Sequence, residues 1–348
     1  MIPHGRIIVI LIPVKFELKP FRIGHIVVKH PVVLAPLAGY SDLPFRLLCR
    51  RFGAAYCTTE MMLDRMVLVC GKLHHRMMAM TGDDHPLAGQ LIGNDPAEMA
   101  RAAEELCRHG FDVIDLNFAC PVHKALSRRR GGHLMGSPKI VNQIVDAVVA
   151  AADRPVTIKV RQKLKSADAD DSFWEIAEHA FGAGAAAITV HARSVEAKYS
   201  GQADWDFLAA VKQRFADRTV IGSGDVTCPK KAVELLMHAK LDGVAAARGA
   251  LGNPWFFRQV CDVAGGDAPY HPSLAEQKAI LLEHFQGACD LYGSQGPKIM
   301  RKVGIRYARL HPTPTKIRMA FVEVKNAAQW HDVLERHYDD GVLQASCT

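Results

Sequence analysis

Residues 87–117 read LAGQLIGNDPAEMARAAEELCRHGFDVIDLN. Two short apolar runs, Leu87–Ile92 and Val113–Leu116, flank a longer segment. That segment opens on Asp95-Pro96 and stops at Gly110. An Asp that can cap free N–H groups, followed by Pro, starts a helix; a Gly ends one. Like most of the runs along this chain, they read as largely continuous apolar segments rather than alternating ones, which fits parallel strands covered on two faces. The stretch therefore reads as one β-α-β unit.

The same beat continues in both directions. Further apolar runs are Val32–Ala35, Ala55–Thr58, Thr157–Val160, Ala187–His191, Val220–Ser223 and Gly243–Ala247. Between them, Ser41-Asp42 opens a helix ended by Gly53, Ser137-Pro138 opens another, and Asp204–Phe215 and Thr227–His238 follow the same rule. Eight strand–helix units in roughly 220 residues match the size of a closed (β/α)8 TIM barrel. An open doubly wound sheet is the alternative, since periodicity does not report closure.

Past Asn253 the beat changes, and residues 271–340 read as helices only. The expected division is an extension over residues 1–20, a barrel over 21–265 and a small all-α domain over 266–348. Lys298, Lys302, Arg306 and Arg309 recur at helical spacing beside the apolar row Ile299, Val303, Tyr307 and Leu310. That is an amphipathic helix with a basic stripe.

The bulk numbers set the class. Of 348 residues, 49% are hydrophobic and 23% charged, as in a soluble globular enzyme. The formal charge is +7, a mild excess that permits a polyanionic partner without requiring one. The nine cysteines are odd in number and form no CxxC pair, so neither a disulfide framework nor a zinc site is expected. The apolar run Ile7–Val14 is too short to span a membrane, contains Pro13, and is followed by no small-residue cleavage site. The expectation is a cytoplasmic protein without a membrane partner, and a monomer.

In a barrel, chemistry collects at the C-terminal ends of the strands. There the sequence sets Pro36-Leu37-Ala38-Gly39, Gln90, Asn117-Phe118-Ala119-Cys120-Pro121, Lys159-Val160-Arg161, His191-Ala192-Arg193, Ser223-Gly224-Asp225 and Ala247-Arg248-Gly249. The two glycine turns can cradle phosphate through backbone N–H groups, with Arg248 adding charge, or be ordinary βα turns. Lys159 at a strand end can stabilise an anionic ring or merely snorkel. Cys120 sits in a long segment holding Lys124, Arg128, Arg129, Arg130 and Lys139 and no acid before Lys139. It is a proton-handling thiol or a structural one in a basic loop.

The segments VVLAPLAGYSDLPFRLLCRRFGAAYCTTEMM, DVIDLNFACPVHKALSRRRGGHLM, PVTIKVR, ITVHARSVEAKYSGQADW, VIGSGDV and GVAAARGALGNPWFF, with MRKVGIRYARL, occur in one order. Together they resemble the tRNA-dihydrouridine synthases, over about residues 21–337. The resemblance implies an FMN-bearing barrel followed by a helical tRNA-binding domain. It implies NADPH-driven reduction of the uridine 5,6 double bond in tRNA, with Cys120 as the acid at C5. Pro36, Leu37, Ala38, Gln90, Lys159, His191, Ser223, Gly224, Asp225, Ala247 and Arg248 match flavin positions. Asn117 matches a residue near flavin and uracil; Lys124, Arg193 and Tyr199 look substrate-facing. The stripe Lys298, Lys302, Arg306 and Arg309 and the basic loop 123–139 would grip RNA. No metal is implied.

Several positions depart from the family's commoner pattern: Leu37 for Met, Ala119 for Gly, Ser223 for Asn and Ala247 for Gly. They bear on flavin affinity. Two other functions are weighed against this one. A dihydroorotate dehydrogenase-like flavoprotein would show Cys-Pro-Asn where this chain has Cys120-Pro121-Val122-His123-Lys124, and would not need a basic helical tail. A catalytically inactive tRNA-binding homologue would keep the stripe without flavin.

Overall fold

The computed structural model describes residues 15–165 and 172–339. The run Ile7–Val14 and Cys347 lie outside the described residues. The strands are β1 (Phe21–Ile23), β2 (Ile26–Val28), β3 (Val32–Leu34), β4 (Cys57–Thr58), β5 (Met62–Leu63), β6 (Leu87–Ile92), β7 (Val113–Asn117), β8 (Val156–Arg161), β9 (Ala187–His191), β10 (Thr219–Ser223) and β11 (Gly243–Ala246). The helices are α1 (Leu43–Arg51), α2 (Asp64–Val67), α3 (Lys72–Met77), α4 (Pro96–His109), α5 (His123–Leu126), α6 (Pro138–Ala151), α7 (Ser172–Ala183), α8 (Trp205–Arg214), α9 (Pro229–Ala239), α10 (Phe256–Gly265), α11 (Leu274–Tyr292), α12 (Gly296–Tyr307), α13 (Pro314–Glu323) and α14 (Ala327–His337).

The sheet closes on itself. β3, β4, β6, β7, β8, β9, β10 and β11 pair in parallel around a ring, and β11 returns to β3. The chain is thus a (β/α)8 barrel rather than an open sheet, with helices following it. β1 and β2 form an antiparallel hairpin that stops the N-terminal end of the barrel.

Alternation along each strand sorts side chains between two destinations. Ile114 and Leu116, Ile158 and Val160, and Ile188 and Val190 point out and pack under the helices. Val33, Ala88, Val113, Ala187, Ile221 and Ala245 point in, sealed from below by Phe21, Ile23 and Val28. Further up the same inner rows come Gln90, Asp115, Asn117, Thr157, Lys159 and His191. The floor is apolar and the mouth polar, so the chemistry faces one end.

The helix caps largely follow the sequence. Asp42 caps α1 by accepting from the Phe45 N–H, and Asp95 caps α4 by accepting from that of Glu98. Gly110 ends α4 at φ +102°. Asp204 caps α8. Ser137 makes no side-chain cap bond, and α9 starts at Pro229 after Cys228 instead of at Thr227. In both cases Pro at the first helical position sets the start without a side-chain acceptor.

Apolar packing falls into separate bodies. Phe256, Phe257 and Val260 of α10 join the barrel's outer core. Leu274, Leu281, Phe285, Met300, Tyr307, Phe321 and Trp330 of α11–α14 form another core, to which Leu48 and Trp255 also contribute. This helical body docks chiefly on α1: Phe45 stacks on His284 at 5.8 Å, Arg51 pairs with Glu283, and Tyr292 Oη donates to Asp42 Oδ2 at 2.9 Å.

Candidate active site

A cavity of about 290 Å³ opens at the C-terminal mouth of the barrel, the size range of small-molecule sites. Pro36, Leu37, Ala38, Gln90, Lys159, His191, Ser223, Gly224, Asp225, Ala247 and Arg248 lie on its wall, with Asn117, Cys120 and Tyr199. Strand register brings them together: Gln90 sits beside Asp115, Asn117 beside Lys159, Arg161 beside His191, and His191 beside Ser223.

A chain of hydrogen bonds runs from the barrel interior to the cysteine loop. Thr157 Oγ1 donates to Asp115 Oδ1 at 2.7 Å, and Gln90 Nε2 donates to Asp115 Oδ2 at 2.7 Å. Asn117 Nδ2 then donates to Gln90 Oε1 at 2.7 Å. Asn117 Oδ1 accepts from the backbone N–H groups of Ala119 and Cys120 at 3.0 and 2.9 Å. The acid end fixes which way each amide faces. Asn117 thereby holds the backbone that carries the thiol.

Cys120 is largely buried, beside Ile92, Ala125 and Met61. Burial pushes its thiol above the ordinary value, against the pull of the Val122 N–H, Arg161 and Lys159. Its basic sequence neighbours do not acidify it: Lys124, Arg128 and Arg129 are exposed, in the segment beyond Pro121. Gly131, at φ +58°, lets the chain pass so close that an added Cβ would lie 2.9 Å from that of Cys120.

The neighbouring strand ends are cationic. Burial, with Arg161 adding, lowers the Lys159 ammonium to about 8, although Asp115 favours its charge. His191 is pushed down to about 2 by burial and then by Lys159, Arg161, Arg193 and Arg248, so its imidazole stays neutral. Its Nδ1 is hydrogen-bonded to Ser223 Oγ at 3.3 Å, while Nε2 is buried without a partner among the described residues. A buried polar atom left open on a cavity wall is a place for a ligand atom.

The glycine turn is built for close approach. Gly224 has φ +133°, and an added Cβ would lie 2.6 Å from that of Ala203. Asp225 follows at φ +57°. Burial disfavours its carboxylate, but Arg193, the Ala203 N–H and Arg248 hold it below the usual range.

Arg193 itself departs from the sequence expectation. Its buried guanidinium grips Asp225 at 2.6 and 2.7 Å and donates to the carbonyls of Ser200 and Gly201 at 3.1 and 2.7 Å. It is turned into the loops and off the cavity wall by the carboxylate at the end of the neighbouring strand, although its Nη1 is buried without a partner among the described residues. Tyr199, by contrast, is 59% exposed at the mouth. The Arg161 and Arg248 guanidiniums lie 5.9 and 5.2 Å from its ring.

Lys124 is exposed and off the cavity wall. The stripe on α12 is divided. Lys298 is exposed, but Lys302 Nζ donates to the Gly39 carbonyl at 2.5 Å and lies 4.2 Å from the Tyr40 ring centre. Arg306 lies 5.7 Å from the same ring, and Arg309 donates to the carbonyls of Arg248 and Gly249. Amphipathic spacing marks a basic face but not what covers it.

The sequence sets Arg161 at the mouth without giving it a role. It donates to the carbonyls of Ala119 at 2.9 Å and of Ser194 and Lys198 at 2.8 Å, tying the Cys120 loop to the Tyr199 loop. Its place two residues after Lys159, on the same inward row, was the available signal. Tyr40, Met61 and Leu251 also line the cavity and carry no such signal.

Residues 33–341 match the family described as dihydrouridine synthase. The chain is 32% identical over 329 residues to the tRNA-dihydrouridine synthase B of Shewanella oneidensis, covering 92% of this chain and 98% of that one. It is 36% identical over 326 residues to the protein of that name from Xanthomonas campestris, covering 92% and 96%. Among solved structures, morphinone reductase superposes with a TM-score of 0.52 at 15% identity, covering 74% of this chain and 93% of that one. A 2-naphthoyl-CoA reductase gives 0.56 at 12% identity, covering 71% and 52%. Those two likenesses bear on the fold alone, whereas the sequence match runs through both packed bodies, and by it the chain belongs to the dihydrouridine synthase family of oxidoreductases.

Proposed function

We propose that this protein reduces the 5,6 double bond of a uridine in transfer RNA, using FMN held in the barrel-mouth cavity and NADPH as reductant. The family match and the named activity of the relatives supply the reaction class. The observation that carries the residue assignment is the cavity itself. It gathers a thiol kept protonated, Lys159 and the open Nε2 of His191.

The residues fit a flavin. The glycine turn at Gly224 and the Ala247-Arg248 turn suit a phosphate, and Lys159 suits the electron-rich edge of a reduced ring. His191, Gln90 and Pro36–Ala38 complete that wall. When bound, FMN would take hydride from NADPH and supply it to C6 of the base.

Cys120 would deliver the proton at C5 from the other side. A general acid has to be protonated at working pH, and burial keeps this thiol so. Asn117 positions it through the loop backbone. Arg161 and Tyr199 border the space where the base would lie. A uracil must leave its stack to reach this depth, so the enzyme extracts the nucleotide. The helical body after residue 265 and the basic loop 123–139 are the RNA-holding parts. The free thiols of the described cysteines suit the cytoplasm, where such RNA resides.

The test is direct. Purified protein should be yellow, with its flavin bleached by NADPH. It should restore dihydrouridine to tRNA from a strain lacking the gene. A colourless protein, or one that reduces free orotate and leaves tRNA untouched, would sink this reading.

A further inference from the structure

The α12 stripe has the spacing of an RNA-gripping face, yet two of its cations bond to backbone carbonyls of other loops. Lys302 reaches the Gly39 carbonyl at 2.5 Å with its ammonium 4.2 Å from the Tyr40 ring centre. Arg309, in the turn after α12, donates to two successive carbonyls, Arg248 at 3.0 Å and Gly249. These carbonyls belong to two different loops, β3–α1 and β11–α10. Both loops are walls of the cavity, through Leu37, Ala38 and Tyr40 on one side and Ala247, Arg248 and Leu251 on the other.

Two glycines show that the fit is built in. Gly39 has φ +77°, and an added Cβ would lie 2.7 Å from Lys302 Nζ. Gly252 has φ +69°, and an added Cβ would collide with the Arg306 backbone. Each loop therefore bends through a conformation that favours glycine, at the point where α12 passes.

We infer that Lys302 and Arg309 are positioning residues: they fix the two loops between which the flavin is held, so α12 is a structural wall of the cofactor site. This rests on the flavin reading given above. The physical reason is the planarity of the peptide. Carbonyl and N–H of one trans unit point in opposite directions, so a cation that anchors the carbonyl also aims the N–H. Arg309 anchors the peptide that joins Arg248 to Gly249, in the turn suited to phosphate. A charge-assisted bond does this more firmly than a neutral one. The helical body thus shapes the pocket it stands beside, and a change in its docking reaches the cofactor without touching it.

The test compares Lys302→Met and Arg309→Met with Lys302→Arg and Arg309→Lys in the full chain, and uses Lys298→Met as an exposed control on the same helix. FMN affinity is read by titrating flavin-stripped protein and following flavin fluorescence. Amide hydrogen exchange over 37–40 and 247–252 is read without cofactor, and tRNA binding against salt.

Each Met variant should weaken FMN on the order of tenfold and speed exchange in its own loop. Its tRNA salt slope should stay that of the parent. Lys302→Arg should restore affinity, and Lys298→Met should leave FMN binding unchanged. Met variants that hold FMN like the parent and instead lose about one unit of salt slope each would make these side chains RNA contacts and overturn the inference. Should a Met variant not fold, the parent decides: loops that exchange freely beside a protected α12 would equally overturn it. A parent that binds no flavin removes the underlying reading, whereas a parent that binds it equally with both Met variants removes only this inference.

Discussion

At the scale of single residues, the proposed roles of Cys120 and Lys159 make the same demand on pH, since both groups must be protonated, but they lose their protons at different points. The thiol must be protonated to act as acid, and burial raises its pKa, so its loss lies at alkaline pH above the ordinary thiol range of about 8.5. The ammonium must stay charged to face a reduced ring, and burial lowers it to about 8. Activity should therefore fall first near pH 8, as Lys159 loses its proton, and only later through Cys120. Lys159→Arg keeps the charge at higher pH and should move that first decline upward; a pH–rate profile unchanged by this substitution would contradict the role. Cys120→Ala should leave NADPH-driven flavin reduction intact while lowering tRNA reduction by about 10²–10⁴-fold. Stopped-flow bleaching and dihydrouridine counting separate the two steps, and full tRNA activity in the variant would exclude the thiol as acid.

At the scale of elements, what the sequence shows best is whatever depends on spacing alone. The apolar runs gave the barrel strands within a residue or two, because a strand buried on both faces leaves an unbroken signature. The inner rows were legible too, since alternation fixes which residues face the mouth. Partner choice was not legible. Arg193 occupies an inward-reading position, but its partner Asp225 stands at the end of the neighbouring strand, 32 positions on, and no local pattern pairs the two. Lys302 and Arg309 were hidden in the same way, by contacts across 263 and 61 positions, between bodies whose docking no local pattern encodes. The Arg193 assignment has a direct check. Removing one member of a buried pair costs about 3–5 kcal/mol, so Arg193→Met should lower the urea midpoint of the flavin-free protein substantially. A residue that only met substrate would leave that midpoint alone and raise KM. Gly131→Ala checks the thiol loop similarly: the new methyl crowds Cys120, at a left-handed φ of +58°. It should reduce turnover with tRNA while flavin binding stays that of the parent.

At the scale of the whole molecule, no helix among the described residues is long and apolar enough to cross a membrane, and the net charge of +7 is spread unevenly in use. Cations committed to carbonyls or carboxylates inside the fold, such as Arg161, Arg193 and Lys302, cannot release counterions when RNA binds. The exposed ones can. Lys124, Arg128 and Arg129 are exposed on the segment that follows directly from Cys120-Pro121, and Lys298 and Arg301 are exposed on α12. A nucleotide drawn into the cavity leaves its flanking phosphates near the first group, so that group should carry the electrostatic part of tRNA affinity close to the reaction. Each phosphate contact contributes a slope of roughly 0.7–0.9 to the fall of log affinity with log salt. Lys124→Glu with Arg128→Glu should therefore weaken tRNA binding and flatten that dependence by about two units, with no effect on flavin content or NADPH oxidation. A binding curve as steep in salt as the parent's would put the RNA on another face, and would leave the basic loop as a solvated surface beside Cys120.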